Sequence, residues 1–150
     1  MEKDEIVVAL NKLVGVNHDT RDMYQTAAEA VDNPDYQSLF REFASQRAEF
    51  MNELSALVAS YGGEPDTDGS LTAALQRTWI DLKAAITSDE ETAVIAEYER
   101  GDRVALEAYQ EAMASDVPEA ARSLIRHQFS YVRIAYERMR DLHAALSEGH

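Results

Sequence analysis

Apolar residues recur along this chain at spacings of three, four and seven, the period of one face of an α-helix. From about Asp4 to Val31 such a face carries Ile6, Leu10, Leu13, Tyr24, Ala28 and Val31, and a polar residue, Asn17, stands among them. Asp32-Asn33-Pro34 closes this segment. Asn33 is suited to cap a new helix and Pro34 to occupy its first position, where no N–H is needed. So short a connection makes an antiparallel hairpin. The second segment, about Asp35 to Tyr61, aligns Tyr36, Phe40, Phe43, Phe50, Leu54, Leu57 and Tyr61, with Arg47 in the middle of the stripe. Gly62-Gly63 supplies a left-handed helix stop. Glu64-Pro65-Asp66-Thr67-Asp68-Gly69 is the one loop of real length.

A short helix is expected next, from Leu71 to about Ile86, with Ser70 as its N-cap and Leu75, Trp79, Leu82 and Ile86 on its apolar face. Thr87-Ser88-Asp89-Glu90-Glu91 then breaks the chain and restarts it through a capping box of Ser88 with Glu91. The following helix, about Asp89 to Ala114, places Ile95, Tyr98, Ala105, Tyr109 and Ala112 on its seam, with Asp102 between them. Gly101 beside Asp102 costs about 1 kcal/mol of helix propensity relative to alanine, which reads as a point of close approach. Ser115-Asp116-Val117-Pro118 begins the last helix, with Asp116 as its cap. Its seam, from Pro118 to about Leu146, is Ala121, Ile125, Val132, Ala135, Met139 and Leu142, again with a polar insertion, Gln128. Ser147 to His150 should fray. The prediction is an all-α fold of one domain, residues 1–150. It is an antiparallel four-helix bundle of two hairpins, roughly 40 Å long, with an extra short crossover helix between helices 2 and 3.

Composition changes this picture little. Of 150 residues 45% are apolar, enough for a single core, and 28% are charged, which argues against bulk disorder. The formal net charge of −14 is the anomaly. A surface that acidic repels phosphate backbones, so nucleic acid and anionic membranes are set aside as partners. Cysteine is absent, which removes disulfides, thiolate metal sites and a cysteine nucleophile. Met1-Glu2-Lys3-Asp4-Glu5 is not the basic start of a signal peptide. No run approaches the ~18 apolar residues of a membrane span, and the expected location is cytoplasmic.

The four polar insertions carry the candidate chemistry. Arg47 and Asp102 lie close to the midpoints of their helices, Asn17 nearly so, and Gln128 somewhat earlier in the last. Midpoints of antiparallel helices coincide, so these side chains are expected to form one buried polar layer. An arginine buried alone would cost several kcal/mol. Asp102 is its natural partner, and the two amides can satisfy what remains. A two-metal carboxylate centre needs a glutamate from each of two helices and a Glu-x-x-His from each of the others. Here the second helix offers Arg47 and Phe50 at that spacing and the last offers Gln128 and Tyr131. Only Glu99 and Asp102 remain as acids, and no metal ligands are assigned. A small pocket lined by Tyr24, Tyr98, Glu99 and Tyr131 beside Arg47 would take a small anion or a planar ligand. Elsewhere His18 and Asp22, one turn apart, could share a surface metal or stand as a solvated pair. His127 should face away from the seam, and His143 and His150 should be exposed. Trp79 would either plug the short helix onto the bundle or anchor an interface. Arg100-Gly101-Asp102 sits mid-helix, unsuited to loop recognition. A Ser/His/Asp set, a glycine-rich phosphate loop and a His-Glu-x-x-His helix are all lacking.

Tyr24-Gln25-Thr26-Ala27-Ala28-Glu29, Ala44-Ser45-Gln46-Arg47-Ala48-Glu49-Phe50, Leu71 to Leu82 with its Trp79, and Glu97-Tyr98-Glu99-Arg100-Gly101-Asp102, with Gln128 after them, carry a resemblance. In their order and spacing they resemble the bacterial ferritin-like four-helix-bundle proteins grouped as a domain of unknown function. The resemblance implies a ferritin-like bundle whose role is unsettled, with stress-related roles suggested for relatives, and a layer of Arg47, Asp102 and Gln128 that belongs to the group. It does not bring ferroxidase chemistry, because the ligands are missing. The expected function is therefore non-enzymatic and without cofactor. A stress-associated or structural bundle would act through a protein partner or self-association, a homodimer included. The alternatives are an atypical metal-binding oxidoreductase using Glu99 and Asp102, and a small-ligand carrier.

Overall fold

In a computed structural model each seam folds into a helix; the structure describes residues 1–66, 73–87 and 91–148, without the side chains of residues 73–76, 78, 79 and 87. The first helix, α1 (Lys3–Ala30), ends on Val31, whose extended backbone still donates its N–H to the Ala27 carbonyl. Asn33 then caps α2 (Pro34–Ser60), accepting from the Asp35 N–H at 2.9 Å, with Pro34 in the first turn as expected.

The α2 stop is a Schellman motif. Gly62 takes φ +79°, its N–H reaches Ala59 O at 3.0 Å, and the Gly63 N–H reaches Val58 O at 3.1 Å. Gly63 also lets α1 in: a Cβ there would lie 2.6 Å from both methyl groups of Val7. The outgoing strand of chain is clamped by Asn11, whose side chain donates to Glu64 O and accepts from Asp66 N.

After α3 (Ala73–Thr87) and α4 (Glu91–Ala114) the chain turns into α5 (Glu119–Glu148). The expected cap at Asp116 is corrected: α5 begins at Glu119, and Pro118, whose carbonyl accepts from Arg122 N at 2.9 Å, holds the position just before the helix. The expected roles of Ser70, Leu75, Trp79, Ser88 and His150 lie outside the described residues.

Helices α1 and α2 form one hairpin, α4 and α5 the other; α1 packs along α4, and α3 lies mainly on α4. Between α2 and α5 the backbones come close only over a short stretch. The arrangement is an all-helical bundle whose core is the set of seams. On α1 Ile6, Leu10 and Leu13 are buried, on α4 Ile95, Ala105 and Tyr109, and on α5 Ile125, Val132 and Met139. Burying one such large side chain contributes roughly 1.5–3 kcal/mol, and this, rather than local propensity, holds the helices. No helix among the described residues is long and apolar enough to cross a membrane.

Candidate functional site

Polar insertions in apolar seams can only point inward, because each seam faces the other helices. Asn17, Arg47, Asp102 and Gln128 are accordingly buried, at 1% exposure or less. Their contacts place them in two linked groups rather than a single ring.

The first group is built around a charge pair. Arg47 Nη1 donates to Asp102 Oδ1 at 2.9 Å and to Thr20 Oγ1 at 3.1 Å. The Tyr24 hydroxyl donates to the other carboxylate oxygen, Oδ2. Thr20 is itself held by donating to Val16 O at 2.9 Å. The guanidinium carbon lies 5.6 Å from the centroid of the Tyr24 ring, within cation–π range. Burial is the strongest single influence on Arg47 and would lower its pKa, but the charge and hydrogen bond of Asp102 together with Tyr24 and Tyr109 raise it overall, and the guanidinium stays charged. Burial pushes the Asp102 carboxyl up, while Arg47 and the Tyr24 hydrogen bond draw it back. Arg47 Nε and Nη2 have no protein hydrogen-bond partner.

The second group is neutral. Asn17 Nδ2 donates to Leu13 O at 2.8 Å and to the Tyr109 hydroxyl at 2.7 Å, which donates in turn to Gln128 Oε1 at 2.7 Å. Gln128 Nε2 spans to α2 through Phe50 O and Glu53 Oε1, both at 3.3 Å. Burial between these partners raises the Tyr109 phenol, so it remains a donor at any ordinary pH. Thr20 and Tyr109 also belong to this buried network, beyond the four polar insertions of the seams. Tyr109 lies on the α4 seam seven residues after Asp102, and that spacing is the signal in the sequence that places its hydroxyl near the other polar groups.

Of the residues expected to line a pocket, Tyr24 and Tyr98 come together, while Tyr131 and Glu99 make their contacts elsewhere. Tyr24 and Tyr98 stack, ring centroids 4.8 Å apart, deep in the core beside Phe40. Tyr131 is 41% exposed and touches Phe50 and His127. Glu99 sits apart, 2.6 Å from His143 Nδ1 and 3.5 Å from Arg103. His143, expected to be exposed, is instead half-buried in this contact between α4 and α5. His127 is exposed, as its angle from the seam required. His18 Nδ1 lies 3.1 Å from Asp19 and 3.8 Å from Asp22, whose carboxylate also takes Arg21.

These donor sets do not fit a two-metal carboxylate centre. Asp102 is already bonded on both oxygens, a cation occupies the waist beside it, and Glu99 is turned to His143. Among the described residues no three His, Asp or Glu side chains are grouped to hold a metal ion.

Two further carboxylates give the fold a pH dependence. Asp19 and Glu97 are buried, and each leaves one oxygen without a protein partner. Burial raises both carboxyls above their ordinary values of 3.8 and 4.5, against the opposing pull of His18 and Arg100. The native state then holds protons that the unfolded chain has already released. Stability from these groups therefore rises as pH falls from neutral through the raised values, and levels off below the ordinary ones. Thermal unfolding followed from neutral pH down through the ordinary values of 4.5 and 3.8 should show this contribution as a rise in midpoint. Asp19→Asn with Glu97→Gln should flatten that rise, and an unchanged slope in the double variant would remove these two groups as its cause.

No curated protein matches this sequence. A family model matches residues 5–115, which include Asn17, Arg47, Asp102 and Tyr109 and leave Gln128 outside, and the chain belongs to that family, described as Domain of unknown function (DUF2383).

Proposed function

We propose that this protein is a non-enzymatic bundle of ferritin-like arrangement in which a buried polar layer stands where a di-metal site would be. It works in the cytoplasm as a single soluble domain, through contacts with other proteins, in a stress-associated or structural role. One observation carries this reading: a fully buried arginine, Arg47, bonded at 2.9 Å to the one carboxylate of the layer. A cation fixed at the waist repels a second cation, and the carboxylate it holds has no free oxygen to offer a metal. Without reactive groups at its centre the bundle has its surfaces left to act with, and a formal charge of −14 suits them to basic protein partners.

Elemental analysis of untagged protein, purified without chelator and then incubated aerobically with ferrous iron, tests it. The expected result is far less than one iron per chain. About two tightly held irons per chain, the stoichiometry of a carboxylate di-iron centre, would put an oxidoreductase in its place.

A further inference from the structure

Where the start of α1 runs beside the end of α4, a groove of about 560 Å³ opens on the surface. Its walls are mostly apolar, with Val8 and Ala9 from α1 facing Ala108 and Ala112 from α4. Val8 is off the seam that Ile6, Leu10 and Leu13 commit to the core, and it is 70% exposed. Met1, 48% exposed, adds a flexible thioether to the same trough. The alanines on α4 keep it concave, since longer side chains there would fill it.

Around this trough stand Asp4, Glu5 and Glu111, and a polar recess sharing Met1, Glu5 and Ser115 adds Glu2 and Asp116. Lys12, the lysine of this rim, is tied to Glu111 at 3.0 Å. Acids in the first turn of α1 offset the positive end of its helix dipole, which accounts for Asp4 and Glu5. It does not account for Glu111 or for an exposed valine between them.

We propose that this groove docks a basic amphipathic helix of a partner protein. The inference rests on the protein-contact reading and gives it a surface and a partner class. Apolar residues at i, i+3, i+4 and i+7 of the incoming helix cover Val8 and the alanines, and its lysines or arginines meet the acidic rim on either side. Within α1 the lining residues Asp4 to Lys12 span roughly 12 Å of helix axis, so a little over two turns of partner are accommodated. A second copy of this chain is the wrong occupant: two chains of charge −14 would bring acidic rims of like sign together.

The test uses the intact protein and a fluorescein-labelled peptide of about 14 residues, leucines at i, i+3, i+4 and i+7 and lysines elsewhere. A scrambled peptide of the same composition is the comparison. Fluorescence anisotropy should show the amphipathic peptide binding about tenfold tighter than the scrambled one, a difference of about 1.4 kcal/mol. Val8→Asp should weaken it about tenfold even though it makes the groove more negative. Ile134→Asp, which adds the same charge at an exposed site on α5, should leave it unchanged. Asp4→Asn with Glu5→Gln should weaken binding and reduce its salt dependence.

Equal affinity for both peptides would mean diffuse acidity rather than a groove and would overturn the proposal. So would equal effects of Val8→Asp and Ile134→Asp. A concentration-dependent dimer in sedimentation that Val8→Asp dissociates would name a second copy as the occupant and overturn it as well. Iron content is independent of all these results, so a failed groove and a failed protein-contact reading are told apart.

Discussion

Replacing Asp102 by alanine is expected to destabilise the protein by about 3–5 kcal/mol, because it leaves Arg47 charged, buried and without its counter-ion. The pair is fully out of solvent, so water cannot take over. The Tyr24 hydroxyl loses its acceptor in the same step, since it donates to Asp102 Oδ2. For a domain of this size the loss corresponds to a fall in Tm of roughly 6–20 °C. Removing both charges together should behave differently. Arg47→Met with Asp102→Leu keeps apolar volume at the waist and leaves no buried charge, and exchanges of this kind are often neutral or stabilising by about 1–4 kcal/mol. The double variant is therefore expected to be more stable than Asp102→Ala alone. Circular dichroism melts of the three proteins decide the matter. A midpoint that barely moves for Asp102→Ala would mean that Arg47 finds another partner or reaches solvent.

The helices were legible because their seams are long and regularly spaced, and their ends because Asn33-Pro34 and Gly62-Gly63 each do one job that few residues can do. The inward placement of Arg47 and Asp102 was legible for a related reason: a polar residue in register with an apolar seam has nowhere else to point. The division of the layer into two groups was not. Periodicity fixes the face on which Asn17 lies but not its rotamer. Its side chain reaches Leu13 O and Tyr109, while Thr20, one turn further on, serves Arg47. Pairing midpoints also hid the lever of helix length. Asp102 and Tyr109 lie seven residues apart on α4, about 10 Å along its axis, so the two groups sit at different heights. Glu99 and His143 are far apart in sequence, and only the docking of α4 against α5 brings them to 2.6 Å. The end groove was invisible because Val8 lies off every seam, and an isolated off-seam valine has no meaning until α4 is placed beside it.

Phe40→Ala should cost about 3–5 kcal/mol, the range for emptying a buried phenylalanine site, and its consequences should reach the charge pair. Phe40 is fully buried, with its ring stacked 5.2 Å from Tyr98 and tilted 5.9 Å from Tyr24. Tyr98 in turn lies 4.8 Å from Tyr24 and donates its hydroxyl to the Met23 carbonyl. Phe40 thus backs the two rings that set where the Tyr24 hydroxyl meets Asp102. Taking the ring away opens a void that Tyr24 and Tyr98 can lean into, and any such movement lengthens the Tyr24–Asp102 hydrogen bond. Phe40→Ala and Asp102→Ala should then fail to add, with an interaction energy of about 0.5–3 kcal/mol, the size found for residues that share a partner. Phe40→Leu, which keeps much of the volume, should cost less and couple more weakly. Urea unfolding of the single and double variants measures both quantities, provided the m-value holds. Strict additivity would show that the aromatic stack and the ion pair are independent neighbours, and that Arg47 and Asp102 hold their geometry without Tyr24 being held in place by Phe40.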